Sequence, residues 1–354
     1  MNITHDEKYN RFTDTLSSLI QINSPSGYEE KLFEYFIKAS QSNGLLAWSD
    51  DRNAYASNGK IDKRKPTVLI SAHGDEVGMV VSGITENGFV RLNSFNGFWR
   101  VLPGLEVEIN GREKVKGVIG CKPPHLLKPG EMDKIINPND LFVDTCKTKS
   151  ELNELISIGD RITYKKRFYK LHNNRIAGSA IDNKISVAIL LELISRLSQV
   201  RIDANVVLMC SGAEEIGSQG ASHAIRSISP DIAISVDTCF SNLFYKGPNK
   251  EYSIEDGIQI SNGALINKTV SNALFTASDN IGVKSNHMVY GGDGGESGQF
   301  IHTDLGVPTG AIFVPIRYLH QPVEVFDLST TNDCILVLSE FILGLPHNIK
   351  GVLA

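Results

Sequence analysis

Polar side chains that can bind metal ions or carry protons follow several apolar segments of this sequence. Each segment is typical of a strand buried on both faces, and the polar side chain stands just beyond its carboxyl end. One further aspartate precedes a long apolar segment that predicts a helix. The residues are His73 and Asp75 after TVLISA, Glu214 and Glu215 after VVLMCSGA, Asp237 after DIAISV, His320 after GAIFVPIRYL, and Asp182 at the end of GSAID.

These positions predict one shared site. In open α/β sheets, ligands bind outside the carboxyl ends of the strands, so side chains that are distant in sequence meet there. Two histidines with several carboxylates suit zinc, cobalt or manganese better than calcium or a structural thiolate site. The set is large enough for two metal ions that share one bridging carboxylate, and it leaves one carboxylate free to act as a base.

Each of these residues also has a simpler explanation when it is taken alone. Asp182 could cap the helix that follows it, and a Glu-Glu pair usually lies on a solvated surface. His73 alone would be a polar residue at a strand end, but a carboxylate two residues later, Asp75, could fix the tautomer of its imidazole. The convergence of all these residues at strand ends favours the metal site.

The composition is that of a globular protein without a strong field of one charge. The 354 residues suggest about two domains, and a net charge of −5 favours neither nucleic acid nor a membrane as a partner. Five cysteines without a C-x-x-C pair indicate a reducing compartment. The polar N-terminus lacks an apolar signal segment, and the most apolar helical run, residues 185–194, is too short to span a bilayer. We therefore expect a cytoplasmic protein.

The predicted elements describe an α/β fold that is interrupted by a β-rich region. Apolar positions at helical spacing predict two helices before residue 40, and residues 67–72 predict the first buried strand. Residues 76–169 contain short β-rich segments separated by Gly, Asn and Pro. After residue 175 the pattern predicts helices over 185–197, 218–227 and 331–343 and strands over 205–210, 231–236 and 311–314. We expect residues 1–75 and 170–354 to share one sheet around an inserted β domain.

Five motifs make this sequence resemble the tetrahedral, or glutamyl, aminopeptidases, some of which have been described as cellulases or endoglucanases. The motifs are SAHGDEVG (71–78), GSAIDNK (178–184), GAEEIGSQGA (212–221), SVDT (235–238) and IRYLHQPVE (316–324), in the order of the family. KGVIGCKPPHLL (116–127) matches within the insertion, so the resemblance covers nearly the whole chain. It implies a mixed-sheet peptidase domain with helices on both faces, and an insertion at 76–169 that makes dimer contacts. It also implies a homo-oligomer in which dimers form a hollow dodecamer.

The resemblance further implies a role for each candidate residue. Asp182 would bridge two divalent metal ions, for which we expect zinc or cobalt. Glu215 and His320 would complete one ion's site, His73 and Asp237 would complete the other, Glu214 would be the general base, and Asp75 would orient His73. A cis peptide bond between Asp182 and Asn183 is also implied. The chain departs from the family at Gly74 and Gln321, neither of which is a ligand, and in a longer glycine cluster at 291–298.

The resulting prediction is a metalloaminopeptidase that removes N-terminal residues from peptide substrates. Two metal ions would activate water, and Glu214 would accept its proton. Three alternatives stay open: an amidohydrolase or carboxypeptidase on the same scaffold, a glycoside hydrolase, and a non-catalytic assembly protein. A glycoside hydrolase needs two facing carboxylates and no metal, so sensitivity to chelators distinguishes it from the peptidase.

Overall fold

An eight-stranded mixed sheet forms the centre of the molecule. The computed structural model describes residues 5–94, 99–128, 130, 134, 136–241, 252–289 and 295–353. With strands numbered along the whole chain, this sheet contains β1 (Leu46–Ser49), β2 (Asn53–Ser57), β3 (Thr67–His73), β12 (Asn205–Ser211), β13 (Ile232–Phe240), β14 (Ile258–Ser261), β15 (Ser285–Met288) and β16 (Thr309–Ile316). Their order is β1-β2-β12-β3-β13-β16-β14-β15. The four middle strands, β12, β3, β13 and β16, run parallel, so their carboxyl ends share one edge.

Helices cover both faces of this sheet. They are α1 (His5–Gln21), α2 (Glu30–Ser42), α4 (Ile181–Leu197), α5 (Gln219–Ile228), α6 (Lys268–Asn280), α7 (Glu296–His302), α8 (Leu328–Leu343) and α9 (Lys350–Leu353). Alternate residues of the parallel strands point to opposite faces, as the period of a strand requires. Ile70 and Leu208 therefore join the core with α1, α2, α4, α6 and α8. Leu69 and Met209 pack with α5 and α7 instead.

Six further strands close into a barrel with a core of its own. They are β4 (Met79–Ile84), β5 (Val90–Ser94), β6 (Glu106–Asn110), β7 (Lys114–Gly120), β8 (Phe142–Asp144) and β9 (Arg161–Tyr164), in the order β4-β5-β8-β7-β6-β9. One short helix, α3 (Lys149–Leu155), lies among them and begins with a capping box made by Thr148 and Glu151. Met79, Val107 and Val143 are among the buried residues of the barrel core. The mixed α/β fold predicted from the sequence is confirmed.

A small antiparallel sheet follows the barrel. It contains β10 (Phe168–Lys170), β11 (Arg175–Gly178) and β17 (Glu324–Asp327), with β11 in the middle. Gly178 pairs with Glu324 in this sheet, which brings the start of the chain's last strand to the start of α4.

Among the described residues, no single helix is long and apolar enough to cross a membrane. One pair bent by 88°, Leu328–Leu343 with His347–Leu353, meets these criteria together.

Several elements near the candidate site differ from their predicted bounds. Strand β3 includes His73, which therefore ends the strand and does not follow it as predicted, and β16 is longer than predicted at both ends. Helix α4 begins at Ile181 rather than 185, and Asp182 in its first turn has non-helical angles (φ −75°, ψ 108°). The peptide bond from Asp182 to Asn183 is cis, as the resemblance implies. Strand β13 continues to Phe240, so Asp237 lies within the strand and not beyond its end as predicted. The extension follows from parallel pairing with β16, which places Asp237 opposite Phe313.

Candidate active site

The predicted site residues come together at the carboxyl edge of the parallel strands. His73 is the last residue of β3, and Glu214 and Glu215 lie in the loop after β12. His320 stands in the turn after β16 with a φ of 60°. With Asp182 and Asp237, these residues form three groups of possible metal ligands. Within each group, the ligand atoms lie within 4.8 Å of one another. The groups are His73–Asp182–Asp237, Asp182–Glu215–His320 and His73–Glu214–Glu215.

Asp182 lies between the two histidines. Its Oδ1 is 3.3 Å from His73 Nε2, and its Oδ2 is 3.1 Å from His320 Nε2. Each oxygen of one carboxylate therefore faces a different imidazole. This arrangement suits a carboxylate that is shared by two metal ions.

Asp182 belongs to two groups of ligands, one with His320 and one with His73. On one side, Glu215 Oε1 lies 3.6 Å from His320 Nε2. On the other side, Asp237 Oδ1 lies 3.6 Å from His73 Nε2, and Glu214 Oε2 lies 3.9 Å from the same nitrogen. Glu215 is almost fully buried, with a side chain 3% exposed, whereas the Glu214 side chain is 16% exposed. The neighbouring glutamates thus occupy different environments.

The donor set and its spacing fit divalent metal ions. Imidazole nitrogens and carboxylate oxygens bind zinc at about 2.1 Å, so neighbouring ligands of a tetrahedral ion lie about 3.4 Å apart. The imidazole-to-carboxylate distances of 3.1 to 3.6 Å in the two groups agree with this value. Imidazole with carboxylate is also a donor set that zinc and other transition metals accept.

Burial is the largest influence on the pKa values of the acids in this site. Burial raises the pKa of Glu214 to about 9, and the nearby carboxylates Asp237 and Glu215 act in the same direction. Burial raises the pKa of Glu215 to about 7 and also raises that of Asp237. Burial opposes the ionisation of Asp182 too, but its contacts with the two histidines outweigh burial and lower its pKa. A bound cation would favour the ionised form of all these acids.

Asp75 contacts both His73 and the loop that carries the glutamates. Its Oδ1 is 3.5 Å from His73 Nδ1, while its own backbone oxygen is 3.2 Å from that nitrogen. The carboxylate also accepts hydrogen bonds from the backbone N–H of Glu214 at 3.0 Å and of Glu215 at 3.1 Å, and from the Ser26 hydroxyl at 2.7 Å. Asp75 therefore connects three of the predicted site residues.

Two further buried groups contact the site, and the sequence analysis assigned neither of them a role. Glu324 accepts hydrogen bonds from the backbone N–H of Asp182 at 3.0 Å and of His320 at 2.8 Å. Lys184 donates from Nζ to the Gly74 carbonyl at 3.0 Å and to the Ser24 hydroxyl. Glu324 lies within the motif IRYLHQPVE and Lys184 within GSAIDNK, so the resemblance was the available signal for both.

The packing around Gly74 leaves no room for a side chain. A Cβ at this position would lie 2.4 Å from Leu32 Cδ2 and 2.6 Å from Cys210 Sγ. The space beside His73 is therefore filled by neighbouring side chains. Cys210 belongs to the main hydrophobic core, as expected for a small apolar residue.

Histidines and carboxylates gathered at the carboxyl edge of parallel strands are the arrangement expected of a metal-dependent hydrolase. The chain belongs to the M42 glutamyl aminopeptidase family, whose model matches residues 53–336. It is thus a metal-dependent aminopeptidase, and the family and activity predicted from the motifs are confirmed.

Three known proteins illustrate the extent of this similarity. Glutamyl aminopeptidase of Lactococcus lactis is 25% identical over 326 residues, which cover 89% of this chain and 91% of that protein. Aminopeptidase APDkam598 from the archaeon Desulfurococcus kamchatkensis has a TM-score of 0.89 at 26% identity, covering 98% of this chain and 99% of that one. The Pyrococcus horikoshii TET1 peptidase, which can assemble into a tetrahedron or a large octahedral shell, has a TM-score of 0.83 at 26% identity. That match covers 94% of this chain and 100% of the TET1 chain.

Proposed function

We propose that this aminopeptidase uses two divalent metal ions, zinc or cobalt, to remove N-terminal residues from peptides. His73 and Asp237 would hold one ion, Glu215 and His320 the other, and Asp182 both. The observation that carries this proposal is the position of Asp182, whose two oxygens face the two histidines at 3.3 and 3.1 Å. A carboxylate that served only one ion would not require this placement.

Glu214 is the proposed general base. When bound, the ions would supply Lewis acidity, which polarises a peptide carbonyl and makes water more acidic. Glu214 is more exposed than Glu215, and the Ser218 hydroxyl donates to its Oε1 at 3.3 Å. This hydrogen bond orients the carboxylate and leaves Oε2 available for a proton from water. The same carboxyl group would then protonate the leaving amine.

Asp75 supports this chemistry through the backbone. Its hydrogen bonds to the N–H groups of Glu214 and Glu215 hold the base and a ligand at a constant separation. Its contact with His73 Nδ1 leaves Nε2 of the ring directed at Asp182 and Asp237. One buried carboxylate would thereby orient His73 at the end of β3 and two glutamates in the loop after β12.

We also propose a homo-oligomer built from dimers, with residues 76–169 as the inserted dimerisation domain and a dodecamer as its assembled form. The closed barrel with its own core supports a separate domain, because such a unit can present a surface without disturbing the peptidase sheet. The assembly described for the TET1 peptidase supports the oligomer. Light scattering that found a stable monomer at micromolar concentration would contradict it.

All five cysteines are free, which supports a reducing, cytoplasmic location.

A panel of aminoacyl chromogenic substrates tests the activity. The protein is stripped with a chelator, dialysed, and assayed after addition of zinc, cobalt or manganese. We expect activity to disappear on chelation and to return with metal, and we expect substrates with a blocked N-terminus to be poor. Equal turnover of blocked and free substrates would favour an amidohydrolase. Hydrolysis of a glycoside that survives chelation would contradict the peptidase mechanism.

A further inference from the structure

Gly295 brings the backbone into direct contact with the candidate site. A Cβ on this residue would lie 2.8 Å from Asp237 Oδ2 and 3.6 Å from Glu214 Oε1. The residue also has φ 64° and ψ −152°, a conformation that only glycine adopts readily. Both the backbone angles and the lack of space therefore require glycine here.

Glu296, the next residue, joins two of the parallel strands. It is 1% exposed, and its carboxylate accepts hydrogen bonds from the hydroxyls of Ser71 and Ser211. Ser71 lies two residues before His73 on β3, and Ser211 is the last residue of β12, three residues before Glu214. One carboxylate thus connects the strand that ends in His73 with the strand that leads to the glutamates.

The buried carboxylate of Glu296 has both of its oxygens hydrogen-bonded. Glu296 lies near the acidic cluster, and burying an acid is costly unless hydrogen bonds satisfy it. The two serine hydroxyls are matched to the two carboxylate oxygens, because Ser71 donates to Oε2 and Ser211 donates to Oε1.

We propose that Gly295 and Glu296 are positioning residues for the metal centre. Gly295 acts on Asp237, and Glu296 acts on His73 and on the loop that carries Glu214 and Glu215. Gly295 allows the chain to pass against Asp237 without displacing its carboxylate. Glu296 fixes the ends of β3 and β12 relative to each other, which sets the distance between His73 and the loop that carries Glu214 and Glu215. This inference rests on the proposed two-metal centre, and it assigns a role to the described part of the glycine cluster at 291–298, of which residues 291–294 lie outside the described residues.

Metal content tests the role of Gly295 without reference to activity. The matched control is Gly217, which also has a positive φ, of 109°, and lies two residues after Glu215. A Cβ at Gly217 would meet no atom of the described residues within 4 Å. Wild-type protein, Gly295→Ala and Gly217→Ala are each stripped of metal with a chelator, dialysed, and titrated with Co²⁺ in a calorimeter. We expect wild type and Gly217→Ala to bind two ions per subunit. Gly295→Ala should bind one ion as wild type does and the other about 10- to 100-fold more weakly.

The outcomes separate this inference from the function on which it rests. Two unaltered binding steps in Gly295→Ala would overturn the positioning role and leave the metal centre intact. An equal loss in Gly217→Ala would also overturn it, because backbone strain alone would then explain the result. Wild-type protein that bound fewer than two ions would refute the proposed centre itself, and this inference with it.

The role of Glu296 is tested by a pair of substitutions in the full chain. Glu296→Ala removes both acceptors and should weaken Co²⁺ binding about 10- to 100-fold. Glu296→Gln retains one acceptor oxygen, and its amide can donate to the second serine, so we expect affinity within a few-fold of wild type. Circular dichroism confirms that each variant is folded, and this pair decides the question if Gly295→Ala does not fold. Wild-type affinity in Glu296→Ala, or an equal loss in both variants, would overturn the positioning role.

Discussion

The neighbouring residues Glu214 and Glu215 should respond in opposite ways to the same substitution. Glu214→Gln keeps the size of the side chain but removes its ability to accept a proton from water. General-base assistance contributes about 10²- to 10⁴-fold to the rate, which corresponds to roughly 2.7 to 5.5 kcal/mol in the barrier. We therefore expect kcat to fall by at least this factor while the metal content stays near that of wild type.

Glu215→Gln should lower the affinity for metal, and its loss of activity should follow from that. The side chain of Glu215 is 3% exposed, and its Oε1 lies 3.6 Å from His320 Nε2. Substitution of a group that only supports a ligand costs about 10- to 100-fold in metal affinity, so loss of a charged ligand should cost at least as much. Activity should partly return when metal is added in excess, because the base is still present.

Two measurements on the same samples check this pair of predictions. Metal content is measured by mass spectrometry after gel filtration, and kcat is measured with a chromogenic aminoacyl substrate over a range of Co²⁺ concentrations. Depletion of metal in Glu214→Gln with full loading of Glu215→Gln would require the two roles to be exchanged. Wild-type turnover in both variants would refute the catalytic mechanism.

Three further substitutions test the surroundings of the site. Glu324→Ala should lower the affinity for the ion held by Glu215 and His320 about 10- to 100-fold, as measured by calorimetry. The reason is that the backbone N–H groups of Asp182 and His320 lose their acceptor. Gly74→Ala should lower the free energy of unfolding by about 1 to 3 kcal/mol in urea, since its Cβ would overlap Leu32 and Cys210. Burial lowers the pKa of Lys184 to about 8, so the unfolded chain binds more protons above that pH. Stability should therefore rise between pH 8 and the ordinary lysine pKa of about 10.4, and Lys184→Met should lack this rise.

The candidate ligands could be predicted from the sequence alone because unusually apolar segments precede most of them. The segments before His73, Glu214 and His320 are continuous apolar runs, which occur in strands buried on both faces of a sheet. Polar residues that directly follow such runs must lie at the edge of the sheet. The motifs then identified the family, since five short segments in a fixed order are far more specific than any one of them.

The end of β13 could not be predicted from the sequence. Asp237 interrupts an apolar run, so hydrophobic periodicity places the end of the strand before it. The strand continues because β16 provides hydrogen-bonding partners as far as Phe240. Backbone pairing between segments more than seventy residues apart has no signal in local composition.

The burial of two acids near the site, Glu296 and Glu324, also depends on the tertiary structure. In sequence, Glu296 and Glu324 look like the many exposed acids of a protein with 40 of them. Their burial depends on donors that the fold brings from elsewhere: serine hydroxyls from β3 and β12 for Glu296, and backbone N–H groups from α4 and the turn after β16 for Glu324.

The sequence by itself therefore determined the class of fold, the family and the residue types available for metal chemistry, because these depend on local pattern. Only the tertiary structure decided which oxygen of Asp182 faces which histidine. It alone also explains the need for glycine at position 295, where a side chain would meet Asp237. Those features are set by distances between elements far apart in the chain, and such distances result from the packing of the whole sheet.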